Sequence, residues 1–541
     1  MADFHPYDEA LVRYRAGGHR PRPLPKGVLE PVDLLREFHP DYHEEAQARL
    51  AVGPNRGERC QAQVADLLQS NGLVDEIDLA GAPVRDTDVV IVGGGGAGCA
   101  AALAAAEQGA RVTLLTKLQL GDSNTVMAEG GMQAAVGADD TPQLHYDDTL
   151  QAGQYVAERA LVAQMVMDGP GIVRWLIQLG MQFDQAGSSP FGDLLLKRPG
   201  GGSVPRILSF RDYTGLELMR VLREAVSHTP GIEVTPQSPV VELLSDERGQ
   251  CAGVVAYSIA YRRLFLIRAQ AVILATGGIG RIHLAGFPTS NHFGATGDGL
   301  ALAYRLGARL RELDSYQFHP TGLAYPRHLV GGLVSEAARS AGATLLNGFG
   351  ERFVDELQTR DVVAAAIIRE CREGRGIMRD GQMGVLLDTP GLEAASPGTL
   401  ARFGGLRHLA ARCGHDPAET PFLVYPTLHY QNGGIAIAGD GATNVPGLFC
   451  AGEVTGGIHG RNRLMGNSLL DILSFGQRAG AAAAVLRSSL PRRKVGIGHL
   501  ADWQRELTLA GLSLTRRSPR LFPDYANFEL RAHVGAKREA S

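Results

Sequence analysis

The rhythm of apolar and polar positions changes near residue 85. Upstream, residues 1–84 alternate proline-rich turns ("RPRPLPKG") with two polar, helix-like stretches around 32–48 and 58–71, and no pattern there points to chemistry. Regular structure is predicted from "DTDVVIVGGGGAGCAAALAAAEQGARVTLLTK" onward. Residues 88–92 form a short apolar run ending in glycine, which predicts a buried strand. The Ala-rich segment to Gln108 predicts a helix, and 112–116 predicts a second strand that closes a βαβ unit. Glycine-rich strand ends recur at "AVILATGGIG" (271–280) and "GLFCAGEVTGG" (447–457). Between them, 313–428 mixes helices and loops and reads as an inserted domain. The tail from 491 is short, basic and polar ("RRSPRLFPDY"), and no internal repeat is present.

Composition narrows this picture. With 541 residues, two or more domains are expected. A 44% apolar and 20% charged chain suits a soluble globular protein, and a net charge of −4 leaves no electrostatic footprint for nucleic acid or an acidic membrane. Glycine is abundant, 69 residues, or 13% against a usual ~7%, as where backbone must approach a ligand closely. The six cysteines (60, 99, 251, 371, 413, 450) include no C-x-x-C pair, so neither a zinc site nor an iron–sulfur motif is expected, and no metal ligand set stands out. No signal peptide and no run of 18 apolar residues is found. The sequence-level expectation is a cytoplasmic protein without a transmembrane segment.

Candidate chemistry begins at Gly93, Gly95 and Gly98, a G-x-G-x-x-G between strand and helix, with Gly96 inside it. Such a turn exposes backbone N–H groups, and the helix N-terminus adds partial positive charge, so the motif predicts a dinucleotide pyrophosphate site. The acidic residue usual at the end of the second strand is missing. Thr116 and Lys117 stand there, which argues against ordinary NAD binding. "SNTVMAEGGMQAA" (123–135), with Ser123, Asn124, Thr125, Gly130 and Gly131, can pass a further backbone segment along a cofactor. Asp298 in "TGDG" and Glu453 in "AGE" offer carboxylates to adenine, ribose or ribityl groups.

In order, "GGGGAGCAAA", "SNTVMAEGG", "ATGG", "TGDG", "QFHPTG", "LVSEAARSAG", "TRDVV", "HYQNGG" and "GGIHGRNRLMGNSLLD" resemble the flavoprotein subunit of succinate dehydrogenase and fumarate reductase, whose superfamily includes L-aspartate oxidase. The resemblance covers roughly 86–480. It implies an α/β fold: a Rossmann-like FAD-binding domain in two sequence segments with an inserted α+β capping domain. The implied boundaries are an N-terminal extension 1–84 that could dock a partner, FAD-binding segments 85–312 and 429–490, a cap at 313–428, and a C-terminal tail 491–541.

The resemblance also implies site roles. Arg463 would clamp one carboxylate of a small dicarboxylate together with His429; His319 and Ser335 would hold the other, and a planar guanidinium suits bidentate pairing. Asn467, Ser468 and Leu469 would lie along the flavin. Arg360 matches the proton donor, with Glu336 and Arg339 as its relay. Arginine is an unusual acid, its ordinary pKa being above about 12, and serves only if promptly reprotonated. Arg461 falls where the family has a small residue, and a solvated loop is its plain reading. Asn124 stands where covalent members carry a flavin-tethering histidine, which implies non-covalent FAD and favours fumarate reduction over succinate oxidation. L-aspartate oxidases carry "REGGHS", whose glutamate helps read the substrate amine. Here "RPGGGS" (198–203) puts Pro199 at that place, so aspartate oxidase ranks second. A reductase of another fumarate-like acid, and an assembly protein with an inactive site, complete the alternatives. Electrons are expected from an iron–sulfur or NADH-oxidising partner subunit, which could hold the protein at a membrane periphery.

Overall fold

In the computed structural model, the structure describes residues 4–18, 22–24, 30–74, 79, 81–186, 193–486 and 494–523. Most of the "RPRPLPKG" turns and both ends of the 491–541 tail therefore lie outside the described residues. The predicted βαβ unit is present: strands Val89–Val92 and Val112–Leu115 flank the helix Gly96–Glu107. They sit in a five-stranded, wholly parallel sheet whose order is Leu448–Cys450, Ala271–Leu274, Val89–Val92, Val112–Leu115, Ile232–Thr235. All four residues of Val89–Val92 are buried, as expected of a parallel sheet covered on both faces. The two glycine-rich strand ends read from the sequence thus pair beside the first strand, at one end of one sheet.

The helix Asn467–Val485 crosses Gly96–Glu107 closely. Gly476 and Gly480 rest on the backbone of Ala97 and Ala101, where a side chain would not fit. The helix Arg159–Gln178 is long and apolar enough by composition to cross a membrane. It packs in the core beneath the sheet, burying Leu161, Val162, Met165, Ile172 and Leu176, while its Asp168 takes two hydrogen bonds from Arg478.

A second, six-stranded sheet contains Ile377–Arg379, Gln382–Asp388, Phe422–Gln431 and Tyr316–Leu323, with Thr344–Leu346 beside Gln382–Asp388. The helix Arg360–Arg372 packs on it. Its edge strand comes from the far N-terminus: His5–Pro6 pairs in parallel with Ile377–Arg379.

The first 84 residues are spread over both parts. The stretch predicted as helix at 32–48 is the helix Pro31–Phe38, then short 3-10 turns and the strand Gln47–Arg49. Pro40 disfavours helical backbone at His39, which is extended at ψ 131°, so the helix stops there. The stretch at 58–71 is a strand, Arg59–Gln61, followed by the helix Ala62–Leu68. Leu34, Leu35 and Phe38 pack in one apolar cluster with Val362, Val363 and Ile367 of the helix Arg360–Arg372. The turn that follows faces the other way. Asp41 accepts the Tyr316 N–H at 2.8 Å, and the Tyr42 hydroxyl donates to Gln154 at 3.2 Å. Gln154 in turn donates to Asp361 at 3.1 Å, beside Arg360.

Candidate active site

One cavity of about 600 Å³ runs between the two sheets. Its inner wall is the glycine turn at 93–96 with Thr116, Lys117, Ser123, Asn124, Thr125, Gly130 and Gly131. Its far end is lined by His319, Ser335, Glu336, Arg360, His429, Arg463, Ser468 and Leu469. Residues from widely separated motifs therefore converge on one space.

The glycine turn is built for close approach. Gly93 has φ +115° and lies against the Ala275 carbonyl, and a side chain on Gly98 would overlap the Gly93 carbonyl oxygen. Gly98 consequently seats the helix on the strand rather than lining the cavity, the packing role expected of the third glycine. The Thr125 hydroxyl accepts the Gly96 N–H at 3.2 Å. Lys117, two residues past the second strand, donates to Asp298 at 2.7 Å, the Gly294 carbonyl at 2.8 Å and Thr296 at 2.9 Å, so two sequence-predicted residues form one ion pair on the cavity wall. Thr116 turns its hydroxyl to the Leu118 carbonyl. These features — backbone without side chains, a helix N-terminus, flanking polar groups and a long cavity — fit a dinucleotide such as FAD.

Asn124 is fixed by three hydrogen bonds: its amide donates to Asn291 at 2.7 Å and Glu453 at 3.0 Å, and its oxygen accepts the His292 N–H at 2.6 Å. Burial raises the Glu453 pKa, which the bonds from Asn124 and Gln431 partly oppose. Asn467 departs from expectation. Its side chain faces away from the cavity, bonded to His145 at 2.8 Å and Thr149 at 2.9 Å. Arg461 is likewise more than a solvated loop residue: its guanidinium donates to Asp314 at 2.7 Å and it is only part-exposed.

At the far end three guanidinia face one carboxylate. Glu336 accepts from Arg360 Nε at 2.7 Å and lies 3.5 Å from Arg339. Burial pushes the Glu336 pKa up, but the charges of Arg360 and Arg339 outweigh it and the net shift is downward. Arg339 lies behind Glu336, off the cavity wall, donating to the Glu356 carbonyl at 2.6 Å. Arg463 is 4% exposed; burial, then the neighbouring Arg360 charge, lowers its pKa to about 10. Its Nη1 donates to Ser468 at 3.1 Å, while its buried Nε has no partner. Such a surplus of buried, incompletely paired positive charge calls for an anion.

Gln317, absent from the sequence-based assignments, ties this end together. Its carbonyl oxygen accepts from Arg360 at 3.0 Å and from Arg463 at 3.0 Å, and its amide donates to Asn462 and the Arg463 carbonyl. Ser290 is a second addition, 2.8 Å from His429 Nδ1. The two histidines stand edge to face with centroids 5.3 Å apart. Burial, then the Arg360 charge, holds both well below the usual imidazole range, hence neutral. His319 Nδ1 accepts the Thr321 N–H at 3.3 Å, so its proton sits on Nε2, available to an acceptor. Ser335 caps the short helix Glu336–Ser340 through a 3.4 Å bond from Ala337 N–H and reaches the cavity wall. The 198–203 loop contributes nothing to the cavity wall; Gly200 instead abuts Glu336.

The FAD binding domain family model matches residues 88–469. A fumarate reductase (CoM/CoB) subunit of Methanothermobacter marburgensis is 39% identical over 421 residues, 76% of this chain and 74% of the relative. L-aspartate oxidase of Streptomyces coelicolor is also 39% identical, over 74% of this chain and 69% of the relative. Among solved structures, the FrdA protein of E. coli quinol fumarate reductase superposes with a TM-score of 0.71 at 32% identity, covering 79% of this chain and 75% of that one. Sdh1 of Mycobacterium smegmatis gives a TM-score of 0.67 at 36% identity, over 78% and 72%. The chain belongs to the FAD-dependent oxidoreductase family of succinate dehydrogenase and fumarate reductase flavoproteins, whose wider membership includes L-aspartate oxidase.

Proposed function

We propose that this protein interconverts fumarate and succinate and favours fumarate reduction, with electrons supplied by an iron–sulfur or NADH-oxidising partner protein. The observation that carries the reading is the Arg360–Gln317–Arg463 bridge, which shares the far end of the cavity with His319 and His429. Its spare positive charge suits a dianion, and donors lie on two sides of the space.

Bound FAD supplies the two-electron hydride chemistry. Arg463 and His429 hold one carboxylate; the His319 Nε2–H and the Ser335 hydroxyl hold the other. Charge-assisted bonds of this kind contribute roughly 1.5–3 kcal/mol each, and the cationic surround polarises the alkene as negative charge develops. Arg360 donates a proton to the substrate carbon. Glu336, 2.7 Å from Arg360 Nε, returns one, and Arg339 behind it extends the relay. The same reading places the protein in the cytoplasm, peripheral to a membrane where its partner is membrane-bound.

A second reading, L-aspartate oxidase, is favoured by the Streptomyces coelicolor relative at equal identity. Against it stands Pro199, on a loop that puts no carboxylate on the cavity wall. The deciding experiment is anaerobic. Dithionite-reduced protein is mixed with a panel of unsaturated acids, and oxidised protein with L-aspartate. Fast reoxidation by fumarate supports the first reading. Flavin bleaching by aspartate supports the second, and silence to all of them overturns both.

Two further results are expected. An amide cannot form the flavin bond that a histidine forms, so acid precipitation should leave a yellow supernatant and a colourless pellet. Flavin retained in the pellet would contradict non-covalent binding. Because His319 and His429 are neutral in the folded protein, the fumarate Kd should change less than about threefold between pH 6 and 8. A histidine that had to be charged would instead lose about tenfold affinity per pH unit above its pKa.

A further inference from the structure

Three buried side chains, one on the cavity wall and two behind it, form a hydrogen-bonded set that the reaction does not use directly. Tyr430 lines the cavity with its ring, and the Arg463 guanidinium carbon sits 4.4 Å from the ring centroid. The Tyr430 hydroxyl points the other way, 3.3 Å from Asp471 Oδ2 and 3.3 Å from His459 Nε2, and these two are 3.2 Å from each other. Neither His459 nor Asp471 lines the cavity, and they are 2% and 1% exposed. Their remaining polar atoms, His459 Nδ1 and Asp471 Oδ1, have no hydrogen-bond partner.

The three residues come from three segments that each carry a site residue. Tyr430 follows His429 on the strand Phe422–Gln431, His459 precedes Arg463 on its loop, and Asp471 follows Ser468 on the helix Asn467–Val485. A guanidinium has five donors and two flat faces. Arg463 engages donors with Ser468 and Gln317, and one face with Tyr430. The ring contact and the two hydrogen bonds together restrict how the guanidinium can turn toward an anion. An aromatic seat does this only if the ring cannot slide, and the bonds to its hydroxyl prevent sliding.

We propose that Tyr430 is a positioning residue that seats Arg463 for carboxylate binding, and that Asp471 and His459 lock that seat from behind. The proposal rests on the reading that Arg463 binds a substrate carboxylate; it holds equally for fumarate and for aspartate. The set acts through Arg463 on binding, so its loss raises KM and leaves kcat close to the wild-type value.

The test uses FAD-loaded full-length protein and calorimetric titration with malonate and with fumarate, alongside anaerobic steady-state kinetics. Tyr430→Leu, which removes the ring, should weaken malonate by about tenfold or more, the scale of a desolvated cation–π contact. Tyr430→Phe keeps the ring and loses only the lock, and Asp471→Asn alters the lock alone. Each should weaken malonate about threefold, the lower end of one hydrogen bond's net contribution, because the loss reaches Arg463 only through the ring. The ranking Leu below Phe is itself a readout, since phenylalanine rescues stacking but not the hydroxyl bonds. Wild-type affinity in Tyr430→Phe and Asp471→Asn overturns the lock, and a fall in kcat at constant KM overturns the positioning role. Should Tyr430→Leu not fold, the other two variants decide. Wild-type protein that binds neither acid overturns the reading of Arg463 and the proposal with it. Wild-type binding matched by every variant overturns the proposal alone.

Discussion

Arg360→Ala should nearly abolish fumarate reduction, lowering the anaerobic reoxidation rate by about 10²–10⁴-fold, the usual contribution of a positioned acid. FAD should stay bound, because the glycine turn, Asn124, Lys117 and Asp298 are untouched and lie along the other part of the cavity. The size of the effect follows from what remains. Glu336 keeps Arg339 at 3.5 Å, so the buried carboxylate is not left without a cation. Gln317 keeps its bond to Arg463, so the clamp stays oriented. What is lost is the one guanidinium on the cavity wall bonded to the relay carboxylate. Arg360→Lys keeps charge but not the paired geometry, and should recover little activity. Flavin absorbance reports cofactor content and turnover in the same cuvette. A rate within tenfold of wild type, at full flavin occupancy, would remove Arg360 from proton delivery.

Arg463→Ala is the second large effect, and it falls on binding. The substitution removes a buried guanidinium with two donors engaged and a third, Nε, unpaired. Losing two charge-assisted bonds to a carboxylate amounts to about 3–5 kcal/mol, or about 10²–10⁴-fold in fumarate Kd. Calorimetric titration of FAD-loaded protein measures it directly. Unchanged affinity would assign the carboxylate to another group, and Arg360 would be the first to examine. The two variants therefore separate: one loses rate at near-normal affinity, the other loses affinity.

Much of this was legible from sequence, and for identifiable reasons. Strand, glycine turn and helix at 89–107 announce themselves through local pattern, because a parallel strand is apolar throughout and a close backbone approach demands glycine. The convergence of 319, 336, 360, 429 and 463 was not legible from pattern alone; it came from the ordered motifs of a known family. Gln317 could have been found. It stands two residues before His319, and a strand places i and i+2 on one face. Tyr430, Asn291 and Ser290 gave no such sign, since a buried hydrogen bond between residues distant in the chain leaves no local period. The Asn467 side chain was misplaced because its motif lies at a helix start, where one residue of rotation decides between cavity and core. The helix expected to run to 48 failed on a local signal that was present, Pro40.

The helix Pro31–Phe38 and the turn after it join three separate segments of the chain. The helix is buried against the segment that begins with Arg360, and the turn bonds Tyr316 and Gln154 beneath it. Displacing the Arg360 helix away from Gln154 would cost either the apolar contacts of Leu34, Leu35 and Phe38 or the Tyr42–Gln154 hydrogen bond. The brace thus ties the placement of Arg360 to a stretch of chain that lies off the cavity wall.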